Sequence, residues 1–102
     1  MPNHVSEIRL INCKIAVDET TRLLDYLRDS QIRRLSLVNA NITAESFPKL
    51  LDLLQESKTL CDLDISWNKI NQKMFISFFE VLKHNRRIET LNISWNMLQD
   101  SS

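Results

Sequence analysis

One pattern of apolar residues recurs four times at a nearly constant interval, and a chain built this way must stack one structural unit on the next. Val5-x-x-Ile8-x-Leu10-x-x-Cys13-x-Ile15 returns as Ile32-x-x-Leu35-x-Leu37-x-x-Ala40-x-Ile42, then as Leu60-x-x-Leu63-x-Ile65-x-x-Asn68-x-Ile70, and again as Ile88-x-x-Leu91-x-Ile93-x-x-Asn96-x-Leu98, at offsets of 27, 28 and 28 residues. The segments between stay in the same register: Leu23, Leu50 and Phe78 align, as do Leu24, Leu51 and Phe79, and Leu27, Leu54 and Leu82. Their i, i+1, i+4 spacing gathers apolar groups on one side of a helix. Asp18, the Thr43 to Ser46 stretch and Asn71 signal helix starts, and Pro48 fits only near such a start. The pattern predicts helices over 19–29, 45–56 and 72–84, and short strands over 8–11, 35–38, 63–66 and 91–94. Strands alternating with helices ask for an α/β fold with a parallel sheet and helical crossovers.

A chain of 102 residues, 43% hydrophobic and 25% charged, has the length and composition of one globular domain. Thirteen basic residues balance thirteen acidic ones, so no global field draws nucleic acid or an anionic membrane to it. No apolar run approaches the roughly 20 residues that span a bilayer, and Met1 to Ser6 is polar, which points to the cytoplasm. Cys13 and Cys61 lie two units apart. Two strand spacings exceed roughly 9 Å, beyond the Cα separation of about 7 Å that a disulfide permits, so both thiols are expected to be free. His4 and His84 have no partner set for a catalytic triad, and nothing resembles a metal-binding pair. Neither enzyme activity nor a cofactor is expected.

The repeated LxxLxLxxN/CxL at this period resembles the ribonuclease-inhibitor-like leucine-rich repeat family over nearly the whole chain. The resemblance implies a horseshoe-shaped solenoid with a parallel concave β-sheet and convex α-helices, in a single domain over 1–102 with units near 5–31, 32–59, 60–87 and a partial unit at 88–102. It also implies a buried, inert thiol at Cys13. Two departures stand out: Ala40 occupies a position where the family has Asn or Cys, which removes one rung of a side-chain ladder, and the chain has no Gly at all.

Alternation along the strands leaves Glu7, Arg34, Asp62 and Thr90 in one outward row, Arg9, Ser36, Asp64 and Asn92 in the next, and Ile11, Val38, Ser66 and Ser94 in a third. A further row just past the strands holds Asn12, Asn39, Trp67 and Trp95. The two tryptophans, 28 residues apart, read either as binding anchors or as a pair that packs to close the turn. The charges likewise read either as neighbours that neutralise one another across the sheet or as a polarised groove. Trp67, Trp95, Arg9, Arg34, Asp62 and Asp64 are therefore the candidate partner-binding residues. The expected function is a non-enzymatic scaffold that binds a protein on its concave face. The family also allows a GTPase-regulating domain like those of the Ran GTPase-activating proteins, or a structural segment of a longer intracellular repeat protein. The last strand leaves an open edge, which predicts self-association or continuation into further units.

Overall fold

The computed structural model describes residues 6–94 and 96. Seven elements follow in strict alternation: β1 (Glu7–Ile11), α1 (Val17–Arg28), β2 (Arg34–Val38), α2 (Phe47–Glu56), β3 (Asp62–Asp64), α3 (Gln72–Lys83) and β4 (Thr90–Asn92). The strands form one sheet in the order β1-β2-β3-β4. All three pairings are parallel, and residues that align in the sequence face one another: Glu7 with Arg34, Arg34 with Asp62, Asp62 with Thr90. The α/β class and the parallel sheet agree with the sequence pattern. The fold is a two-layer α/β domain of four strands and three helices, and the described residues do not define a horseshoe.

Burial follows the strand alternation. Leu35, Leu37, Leu63 and Ile65 are fully buried under the helices, where Leu24, Leu27, Leu50, Leu53 and Phe78 meet them. Equivalent residues in the outer strands, Ile8 and Leu10 on one side and Leu91 and Ile93 on the other, are only half-buried. The gradient is physical: each unit covers its neighbour, so the first and last strands are covered on one flank. The helices show it too. Leu24 is 0% exposed, its equivalent Leu51 is half-buried, and Phe79 at the same position of α3 is 47% exposed.

The helix ends use different devices. Asn71 caps α3, its Oδ1 accepting from the Met74 amide at 2.9 Å. Helix α1 starts one residue before Asp18, which sits in the first turn, where a carboxylate favours the helix dipole. Pro48 lies in the first turn of α2. After each helix one polar side chain turns the chain back to the sheet: Ser30 accepts from Ile32, Ser57 from Thr59 and Leu60, and Asn85 from Arg87 and Ile88.

The loops after the strands are fastened by carboxamides, buried at Asn68 and half-buried at Asn96. Asn68 Oδ1 accepts from the Ala40 and Ile42 amides, both at 3.0 Å, while its Nδ2 donates to the carbonyls of Leu37, Ile65 and Ser66. Asn96 repeats the arrangement toward Asn68 and Ile70. Each of these asparagines therefore serves the loop of the unit before it. Ala40 offers no such group, and the loop behind it is held by its neighbours: Asn41 Nδ2 donates to the Ile15 carbonyl at 3.3 Å and Asn39 Nδ2 to Asn12 Oδ1 at 3.0 Å. Cys13 differs from expectation. It is exposed rather than buried, because no unit precedes it among the described residues to lay a loop over it. Both cysteines are free.

Candidate functional site

Two surfaces meet at the carboxyl ends of the strands: the open face of the sheet and the rim where each strand turns toward its helix. On the open face, Arg34 is exposed between Glu7 and Asp62 on the adjacent strands, and Arg9 lies with its Nε 3.8 Å from Glu7 Oε2. Asp62 and Asp64 are half-buried. Exposed pairs of this kind add little stability, so the alternating charges are a surface pattern more than a brace. Asp64 is tied to its own turn: its Oδ1 accepts from the Ser66 amide at 3.0 Å and the Ser66 hydroxyl at 2.7 Å. Asn92 accepts from Ser94 in the same way. Of the six candidates, Arg9, Arg34 and Asp62 share the open face, Asp64 holds a turn at its end, Trp67 stands on the rim, and Trp95 lies outside the described residues.

The rim has an unusual backbone. Asn12, Asn39 and Trp67 occupy equivalent positions with φ of 58°, 50° and 60°, and Asn41 follows at 64°. These are left-handed conformations that asparagine tolerates and that a bulky side chain adopts only at a cost of about 1 to 3 kcal/mol. In a chain without glycine, the asparagines supply the turns. Sheet hydrogen bonding continues through this row and holds it in place: Asn12 N donates to Val38 O at 2.8 Å, Asn39 N to Ser66 O at 3.1 Å and Trp67 N to Ser94 O at 3.0 Å. Trp67 is therefore fixed with its side chain 54% exposed. The turn sets the Trp67 backbone and leaves the residue at the surface. The alignment of Trp67 with two asparagines was the sequence signal for this conformation.

The rim also contains a groove of about 380 Å³ that sequence inspection did not single out; Lys14, Asn41 and Lys69 line it together with the Asn12, Asn39 and Trp67 row. Among the described residues no cluster of three or more His, Cys, Asp or Glu is arranged to hold a metal ion. No described helix is long and apolar enough to cross a membrane.

No protein-family model and no curated protein sequence matches this chain. Solved structures do match its fold. One is the leiomodin-1 actin-binding site 2, with a TM-score of 0.82 at 19% identity, covering 89% of this chain and 54% of that one. Another is the tropomodulin C-terminal domain of Caenorhabditis elegans, with a TM-score of 0.84 at 18% identity, covering 96% of this chain and 59% of that one. At such identities the likeness establishes a shared fold, and this chain spans little more than half the length of either structure. These neighbours correct the expected membership of the ribonuclease-inhibitor-like leucine-rich repeat family. The physical reason is that apolar residues alternating along a strand and a carboxamide past its end meet local requirements of any stacked strand-helix unit, so the spacing does not select one family. The GTPase-regulating alternative rested on that resemblance and falls with it.

Proposed function

We propose that this chain is a non-enzymatic, cytoplasmic protein-binding module whose partner lies across the open sheet face and its rim, and that actin is the first partner to test. The observation that carries the reading is Trp67, exposed and fixed in a left-handed turn at the end of a face bearing Arg9, Arg34 and Asp62. Tryptophan and arginine are the residues that most often dominate binding energy at protein interfaces. Actin is suggested by leiomodin-1, whose matching domain is its actin-binding site 2. Cosedimentation with filamentous actin and titration of monomeric actin test this. The wild-type chain should bind saturably, and a Trp67→Asn, Arg34→Glu double variant at least about tenfold more weakly, equivalent to about 1.4 kcal/mol. Asparagine already occupies the equivalent turn positions, so the Trp67 change keeps the turn, and thermal unfolding of the variant checks that it remains folded. Failure to bind either form of actin removes actin as the partner, and binding unchanged in the variant removes this face.

The reading includes self-association at the far end of the sheet. There Phe79 stacks on Phe75 with ring centroids 5.7 Å apart and stays half-exposed, Ile76 is exposed beside it, and Leu91 and Ile93 are half-buried under the edge strand β4. An apolar helix face beside a strand edge that no described residue pairs favours docking of another copy. Light scattering over a wide concentration range should show a dimer that Phe79→Lys abolishes; a strictly monomeric wild-type chain would remove self-association from the reading.

A further inference from the structure

The groove on the rim is built from two parallel rows of equivalent residues. Asn12, Asn39 and Trp67 form one wall, and Lys14, Asn41 and Lys69 the other. Asn68 lies between them with its carboxamide committed to backbone groups. The groove thus runs across the sheet from unit to unit, past the carboxyl ends of the strands. Its chemistry is one-sided. Among the described residues no carboxylate lines it, and Lys14 and Lys69 make no ion pair. The bond from Asn39 Nδ2 to Asn12 Oδ1 uses one end of each carboxamide and does not engage the Asn12 Nδ2 donor or the Asn39 Oδ1 acceptor.

We propose that this groove binds an acidic, extended peptide segment. Its carboxylates would sit at Lys14 and Lys69, its backbone amide against Asn12 and Asn39, and an apolar side chain against the Trp67 indole. The spacing fits. Lys14 and Lys69 follow β1 and β3, two strand spacings or roughly 10 Å apart, while carboxylates two residues apart on one face of an extended strand lie roughly 7 Å apart, within reach of two long lysine side chains. Two isolated cations in a chain of zero net charge suit two carboxylates better than the closely spaced phosphates of a nucleic acid. The proposal rests on the protein-binding reading, though not on actin being the partner.

The test uses the full chain, isotopically labelled, and three probes: a short end-blocked peptide of alternating Glu and Leu, the same peptide with Gln for Glu, and a short single-stranded oligonucleotide. The Glu peptide should shift the side-chain amide signals of Asn12 and Asn39 and the indole N–H of Trp67, and bind more weakly as salt rises. A Lys14→Glu, Lys69→Glu variant, altered only at exposed positions, should lose about tenfold or more in affinity. Equal binding of the Gln peptide, preferential binding of the oligonucleotide, no loss in the lysine variant, or no shift with any probe would each overturn the proposal. If actin binds while the peptide does not, the groove assignment fails and the protein-binding reading stands; if the peptide binds while actin does not, the groove assignment holds and only the choice of actin fails.

Discussion

Replacing Asn68 with Ala should destabilise the domain by roughly 4 kcal/mol, more than any other single polar substitution. The side chain is buried and makes five hydrogen bonds, two accepted from the Ala40 and Ile42 amides and three donated to the Leu37, Ile65 and Ser66 carbonyls. Alanine removes all five; the Ser66 and Ile65 carbonyls keep the Asn39 amide and the Asn96 Nδ2, but the Ala40 and Ile42 amides lose the acceptor they share, at about 1 to 3 kcal/mol for each group that water cannot reach. Partial relaxation keeps the total below the simple sum. Urea unfolding measures it, and hydrogen exchange locates it: the Ala40 and Ile42 amides should lose protection first. Lys14→Ala, exposed on the rim and outside the left-handed positions, is the control and should cost under about 1 kcal/mol. Equal losses for the two would mean that Asn68 does not hold the loop.

Leu63→Ala should cost roughly 2 to 5 kcal/mol, since Leu63 is fully buried in an inner strand flanked on both sides, where a cavity cannot collapse. Leu91→Ala, at the equivalent position of β4, should cost about half as much because that residue is already half-exposed. Asp64→Ala, adjacent to Leu63 but outward, should cost about 1 kcal/mol, the value of the turn hydrogen bonds it accepts from Ser66. Denaturant titration of the three variants ranks them, and a Leu91 loss equal to that of Leu63 would contradict the covering of inner units by outer ones.

The sequence made the sheet legible because the inward positions obey a strict alternation. Leu35 with Leu37 and Leu63 with Ile65 cannot be moved one residue without turning the core to solvent. The helices were legible from the i, i+1, i+4 spacing of their apolar residues, to within two residues at each end. The site was less so. Arg9, Arg34 and Asp62 follow from alternation alone, but the turn role of Asp64 depends on the Ser66 backbone curling back toward it, which no spacing announces. Lys14 and Lys69 are far apart in the chain, and only the strand order brings them to one groove. Cys13 was misplaced because its alignment with Asn68 says which position it holds in a unit and nothing about whether another unit covers that position. The family resemblance failed at the same level, since it was read from requirements that every such unit shares.

The loop-fastening carboxamides reach backward along the chain, which matters during synthesis. Asn68 closes a loop that left the ribosome 28 residues earlier, and Asn96 closes the next one at the same interval. A nascent chain that has reached Ile42 therefore carries a finished strand whose loop amides still lack their acceptor, and it must wait for the following unit to emerge before that loop can set. The first loop waits in the same way: Asn39 and Asn41, which fasten it, come 27 and 26 residues after Asn12 and Ile15. Assembly on the ribosome thus runs one unit behind translation from the first loop onward.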